Sequence, residues 1–291
     1  IKQKVTVQSV DTASEAYALS LAEKARIDMP YMSKLTGKTE QELFEDLKGV
    51  IFLNPMHISE EDGKPKYLPA DEYLSGNVRE KLRWAKRSAE LYPEDYRENV
   101  RALEAVQPVD LTASEISVRL GATWLPPETI EEFMFELFST PRYCQWNIHV
   151  HYAQYTGEWN VEGKSYDRSN VKAHNTYGTG RVNGYKIMEE TLNLRDVRIF
   201  DYIEDGNGRK TAVLNKKETA IAQGKQELIK QAFADWIWSD PERREALTKL
   251  YNEKFNSIRP REYDGSHLNF VGINPEITLR PHQVNAIAHI L

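Results

Sequence analysis

Asn147-Ile148-His149-Val150-His151-Tyr152 and Gly157-Glu158-Trp159-Asn160-Val161, with Tyr155-Thr156-Gly157 between them, decide the fold class. Both runs read as short strands and a glycine stands at the reversal, so they predict a β-hairpin set among helices. A second hairpin is expected from residues 197–203 and 210–214 around Asp205-Gly206-Asn207-Gly208. Around the hairpins, apolar residues recur at helical spacing. Residues 127–138 carry proline near the first turn, a favoured position, and residues 181–194, 216–238 and 241–255 are also expected to be helical.

Towards the start of the chain, residues 12–27 form a helical pattern with Thr12 and Ser14 as caps ahead of Glu15. Residues 29–35 and 39–47 make a helix pair around Gly37, with Glu42 at capping-box spacing from Thr39. The apolar run 49–53 reads as a strand closed by Asn54-Pro55, and 60–69 is polar and loop-like. Amphipathic helices at 76–91 and 93–106 meet at Tyr92-Pro93, Pro108 marks a break, and 257–275 is irregular. The expected fold is α+β, predominantly helical with small antiparallel β-hairpins. It divides into a helical subdomain at 1–108, a mixed α+β subdomain at 109–258, and a leader and helix at 259–291.

The 291 residues suffice for one large domain or two small ones. A formal net charge of −6 argues against a nucleic-acid-binding coat over the whole surface and leaves local basic patches open. The single cysteine, Cys144, excludes an intramolecular disulfide or a multi-cysteine metal site and fits a reducing, cytoplasmic setting. No apolar run reaches membrane-spanning length. The chain starts at Ile1 without methionine and stops at Leu291 inside an apolar periodic run that lacks a helix stop signal. The expectation is a segment of a longer protein.

Several motifs invite a chemical reading. Thr36-Gly37-Lys38-Thr39 resembles the end of a phosphate loop, but Met32 stands where the first glycine is needed, so a turn between helices is expected. Residues 27–47 have helix–turn–helix proportions. A groove-reading second helix would carry Glu40, Glu42, Glu45 and Asp46 against phosphate, which favours plain packing. Asn54-Pro55-Met56 only approaches the Asn-Pro-Pro-aromatic motif of adenine amino-methyltransferases. His149 and His151 share a strand face and Glu158 and Glu162 lie on the partner strand, yet a metal site needs a third ligand that is not evident. Glu162-Gly163-Lys164 resembles half of a metal-dependent nuclease site, with Asp110 the only upstream acid. A nuclease is therefore an outside alternative.

Residues 163–186 hold Lys164, Arg168, Lys172, Arg181 and Lys186 against one acid, Asp167, with Tyr166, Tyr177 and Tyr185 interleaved. Cations between aromatics suit a nucleic-acid backbone with stacked bases, and a solvated loop is the competing reading. Arg259, Arg261 and Arg280 form a second cluster. The expected DNA contacts are Lys164, Arg168, Lys172, Arg181, Arg259 and Arg261, with Tyr166 or Tyr177 stacking. In the competing class, a protein-interaction scaffold without DNA contact, Trp236 and Trp238 would serve an interface. Helical phase sets those two about 200° apart, so both cannot face one core.

Leu279-Arg280-Pro281-His282-Gln283-x-x-Ala286 resembles the lead-in to the ATPase motor of superfamily 2 helicases, including the Swi/Snf-like group. Other stretches are 71–82 (Asp71-Glu72-Tyr73-Leu74-Ser75-Gly76), 118–126 (Val118-Arg119-Leu120-Gly121), Leu192-Asn193-Leu194-Arg195-Asp196, and 255–267 (Ile258-Arg259-Pro260-Arg261). Together they are similar to the region between the methyltransferase and helicase parts of large methylase–helicase proteins. Such proteins occur on bacterial phages, plasmids and conjugative elements. The resemblance runs from about residue 20 to the end. It implies a parent that is an ATP-dependent helicase fused to an adenine DNA methyltransferase, using ATP with Mg and S-adenosylmethionine. It implies that this segment is not itself an enzyme and has no cofactor or metal of its own. Its partners would be DNA and the flanking methyltransferase and helicase domains, with no membrane. Gln283 would contact adenine only within the complete motor. The setting would be the cytoplasm of a bacterium, with a bacterial or phage gene.

Overall fold

The computed structural model describes residues 8–204, 209–266, 268 and 277–290. They form two compact units: 1–110 together with 253–291, and 111–252. The fold is α+β and helix-rich, about half helical, with small two-stranded antiparallel sheets.

The first unit opens with α1 (Ala13–Lys24), α2 (Met29–Thr36) and α3 (Glu40–Asp46). Their starts are set by local chemistry. Thr12 with Glu15, and Thr39 with Glu42, form reciprocal capping boxes that satisfy orphan N–H groups of the first turn. Gly37 ends α2 at φ 73°, a left-handed conformation that glycine reaches without Cβ strain. Ala16, Tyr17, Met32, Leu35, Leu43 and Leu47 bury the shared core of the three helices.

Strand β1 (Ile51–Leu53) pairs with β2 (Tyr67–Pro69), Phe52 lying opposite Leu68. The polar stretch expected to be loop throughout therefore ends in a strand, because Tyr67 and Leu68 supply the apolar partners that β1 needs. A short α4 (Ala70–Tyr73) and strand β3 (Gly76–Asn77) lead to the helices α5 (Val78–Leu91) and α6 (Pro93–Ala105). Phe52 stacks on Tyr73 at 4.9 Å, and the buried Asn99 donates to the Leu53 carbonyl and the Tyr73 hydroxyl.

The second unit is built on α7 (Pro127–Phe138), a short α8 (Arg142–Gln145), the hairpin β4 (His149–Ala153) and β5 (Glu158–Glu162), and α9 (Gly184–Leu192). A hairpin of β6 (Phe200–Glu204) and β7 (Lys210–Leu214) precedes the long α10 (Lys216–Ile237) and α11 (Pro241–Phe255). The decisive hairpin has the expected place, with His149 opposite Glu162 and Gly157 at φ 69° in the turn. Val150, Trp159 and Val161 point into the core. The turn expected at 205–208 lies outside the described residues.

Aromatic packing organises this core. Phe133 meets Phe233 edge-on at 5.1 Å and Trp236 at 5.2 Å, and Phe138 meets Tyr185 at 4.7 Å. Trp236 and Trp238 both pack against the same core, contrary to the helical-phase expectation. The reason is that α10 ends at Ile237, so Trp238 is the cap and escapes the helix phase.

After α11 the chain returns to the first unit. Strand β8 (Ile258–Arg259) pairs with β3, and α12 (Pro281–Ile290) follows the leader. The stretch 259–291 thus clusters, in its described residues, with 1–110.

Candidate nucleic-acid interface

The basic segment 163–186 lies between β5 and α9. Gly163 leaves β5 at φ 71°, and a Cβ there would come within 1.8 Å of the Asn147 carbonyl oxygen. The glycine of Glu162-Gly163-Lys164 is thus required by close backbone approach. The flanking side chains serve separate partners. Glu162 lies 3.7 Å from His151, while Lys164 donates to Glu189. Asp110, in the first unit, pairs with Arg79 at 2.5 Å. The outside nuclease reading gains no convergent cluster from these contacts.

Asp167, the segment's one acid, is turned inward and only 2 % exposed. It accepts hydrogen bonds from the Tyr185 hydroxyl and the Asn170 amide, both at 2.6 Å. Thr140 and Tyr185 share a further bond at 2.7 Å. Burial first, and then the bond to Asp167, push the Tyr185 phenol well above its ordinary pKa, so it stays protonated and donates. A π-helical turn at Lys172–Thr176 follows, and Lys225 caps it by donating to the carbonyls of Asn175 and Thr176.

The cations divide by their partners. Lys164 and Lys186 both donate to Glu189, which is 8 % exposed and also accepts from the Val161 N–H at 2.9 Å. Burial alone would raise the Glu189 pKa, but these three donors outweigh it and hold the carboxyl below its ordinary value. Arg181 pairs with Asp201 at 2.8 Å and donates to the Phe200 carbonyl at 3.0 Å. Arg168 and Lys172 are exposed and, among the described residues, bond only neutral groups, the Ser165 carbonyl at 3.0 Å and the Ser139 hydroxyl at 2.8 Å. Tyr166, two residues before Arg168 in the chain, is 63 % exposed. Tyr177 is half-buried and packs on Phe138 at 5.9 Å.

The other singled-out residues have local duties. In the first unit, Arg259 pairs with Glu262 at 2.6 Å and donates to the Leu74 carbonyl, and Arg261 pairs with Asp71. Both line a cleft of about 1280 Å³ with Tyr17, Tyr263 and His289, and Asp71, Glu72, Glu262 and Asp264 line it too. The Gln283 side-chain carbonyl accepts from the Arg280 N–H at the start of α12. Asn54 makes a turn, donating to the Pro65 carbonyl and accepting from the Met56 N–H. The imidazoles of His149 and His151 are 6.2 Å apart, and among the described residues no three candidate ligands come together for a metal.

In α1 to α3, Gly37 makes a tight turn between two helices, and the β1–β2 ribbon follows. These are the parts of a winged helix: a helix–turn–helix with an adjoining strand pair. Residues 9–59 match a family described as "Probable helicase, winged helix domain", and residues 119–257 match one described as "Domain of unknown function (DUF8437)". The first match marks a helicase-associated region. No curated protein and no solved structure matches the chain. Among the described residues, no helix is long and apolar enough to cross a membrane.

The solvent face of α3 carries Gln41, Glu42, Glu45 and Asp46. Its acids engage the nearby cations: Glu40 with Lys66, Glu45 with Lys48, and Asp46 with Lys38. Three of its four acids are thus neutralised and the helix has no cation of its own, so it offers phosphate no positive surface. Sequence reasoning identified the helix pair and its acidity. It missed the β2 strand that completes the ribbon, because Tyr67-Leu68-Pro69 is too short and too polar in its flanks to show a strand period.

Proposed function

We propose that this chain is a non-catalytic, DNA-contacting region of a DNA methyltransferase–helicase protein, lying upstream of its ATPase core. One observation carries the DNA contact. The only acid of the 163–186 segment is buried, so among the described residues Arg168 and Lys172 present charge not cancelled by a carboxylate, in the same segment as the exposed ring of Tyr166. Cations beside an exposed aromatic can hold phosphate and stack a base at once. The match to a helicase winged-helix family and the resemblance at 279–286 support the helicase context.

Within this reading the cations have unequal roles. Lys164, Arg181, Arg259 and Arg261 orient loops through their carboxylate partners, and Arg168 and Lys172 face phosphate. The winged helix orients neighbouring domains, since α3 carries no cation of its own for a groove-reading role. ATP with Mg, and S-adenosylmethionine, belong to the flanking domains, where Gln283 would meet adenine as part of a complete motor.

The test is fluorescence anisotropy with single-stranded, duplex and forked DNA across a salt series. Wild type should bind with a salt slope set by its phosphate contacts, at about 0.9 per contact on duplex DNA. The double variant Arg168→Ala/Lys172→Ala should reduce that slope by about two on every sequence. Absence of DNA binding by folded wild type at low salt would overturn the proposal and favour a scaffold.

A further inference from the structure

The β6–β7 hairpin is anchored at its base and open along its length. At the base, Ile199 N–H donates to the buried Thr219 hydroxyl, Asn215 N–H donates to the Ile199 carbonyl, and the Asn215 amide holds Asp201 at 2.7 Å. Arg181 clamps Asp201 from the basic segment. Beyond these contacts both strands are solvent-accessible and exposed on both faces.

The side chains there are not those of a solvated ribbon. Register places Phe200 opposite Leu214 and Tyr202 opposite Ala212, so these four share one face. Tyr202 is 72 % exposed, and Phe200 and Leu214 about 40 % each. Ile203 and Val213 are exposed on the opposite face. A lone two-stranded hairpin is marginal in water, and an apolar surface of this kind marks a binding site.

Charge decides the occupant. Arg198, Lys210, Lys216 and Lys217 surround the ribbon, all exposed and none paired with a carboxylate among the described residues. Over the same stretch, residues 196–218, the described acids are Asp196, Glu204, Glu218 and Asp201, the last already neutralised by Arg181, against five cations when Arg209 is included. An apolar protein partner would gain nothing from such a set of cations, whereas a polyanion would. Phe200 and Tyr202 follow each other at a two-residue strand repeat of roughly 6.8 Å, about twice the ~3.4 Å rise between stacked bases. That spacing lets a base lie between successive rings.

We infer that the β6–β7 hairpin is a stacking platform for single-stranded DNA, with Phe200 and Tyr202 against the bases and Lys210, Lys216 and Lys217 against the backbone. The inference rests on the proposed DNA-contacting role and assigns its strand-binding element. A two-stranded ribbon can also enter a major groove. The exposed aromatic face, which every base can stack on, favours the single strand.

The experiment measures anisotropy of a labelled oligothymidylate on the full chain. The variants are Tyr202→Ala, Tyr202→Phe, Phe200→Ala and Lys216→Ala/Lys217→Ala, each checked for an unchanged thermal transition. Loss of one stacked base should weaken binding about tenfold at an unchanged salt slope, and Tyr202→Phe should retain affinity. The lysine pair should instead lower the slope, by somewhat more than one unit. If wild type binds DNA and both alanine variants bind equally well, the hairpin assignment is wrong and the DNA-contacting role stands. If folded wild type binds no DNA, both fall. A drop in oligomeric mass for the alanine variants, with DNA affinity intact, would make the ribbon a protein contact and overturn the inference.

Discussion

Replacing Glu189 by glutamine tests whether Lys164 and Lys186 are structural. The carboxylate receives three hydrogen bonds in the second unit: from Val161 N–H at 2.9 Å, from Lys186 at 2.7 Å, and from Lys164. Glutamine keeps the shape and one acceptor for Val161, and loses the charge that holds Lys164 and one of the two carboxylates that hold Lys186, which keeps Glu190 at 2.8 Å. A hydrogen bond to a charged group contributes about 1.5–3 kcal/mol. Lys164 is 30 % exposed and regains water when released, and Lys186 is 46 % exposed and stays on Glu190, so the loss is discounted to about 2 kcal/mol in total. For a unit of this size that corresponds to a Tm lower by roughly 4–8 °C at pH 7.

The pH dependence has a definite sign. The folded-state carboxyl lies below its ordinary value of 4.5, so its stabilisation is complete above that value and is lost as the pH falls through the folded value. The gap between wild type and Glu189→Gln should therefore be full at neutral pH and close in acid below 4.5. Differential scanning calorimetry across that range measures both. A variant Tm within about 1 °C of wild type at pH 7 would refute the assignment. A gap that persisted unchanged in acid would show that packing, not charge, accounts for the difference.

Two further perturbations probe the frame that presents the basic segment. Gly163→Ala forces a Cβ into the Asn147 carbonyl at a positive φ, and that carbonyl cannot retreat without disturbing the start of the β4–β5 ladder. The cost should exceed about 2 kcal/mol, and an unfolding midpoint equal to wild type would discount the close approach. Phe133→Ala removes a side chain that is 1 % exposed and wedged against Phe233 and Trp236. Urea titration should show a loss of about 3–5 kcal/mol, and a loss under 1 kcal/mol would mean that the core collapses around the gap.

Much of the local structure was legible because its causes are local. The Thr12–Glu15 and Thr39–Glu42 capping boxes, the Gly37 turn and the Gly157 hairpin are each fixed by residues three or four apart, and each stands where expected. Strands β2, β3 and β8 were not legible. They are two or three residues long and exist only because a distant partner satisfies their backbone groups, Phe52 for Leu68 and Asn77 for Ile258. The Trp238 expectation failed for the same kind of reason: where α10 stops is settled by packing, not by phase.

The sequence by itself determined the α+β class, the succession of helices and hairpins, and which residues carry charge near which aromatics. Periodicity, caps and composition act over a few residues, and the chain displays them directly. The tertiary structure alone decided what those charges face. It buried Asp167 against Tyr185, tied Lys164 to Glu189 and Arg181 to Asp201, and left Arg168, Lys172 and the β6–β7 ribbon to solvent. A side chain's partner can lie 20 or more residues away, as Asp201 lies from Arg181. Charge becomes available to a ligand only where folding has not already neutralised it, so the basic positions could be found in the sequence but the exposed ones could not.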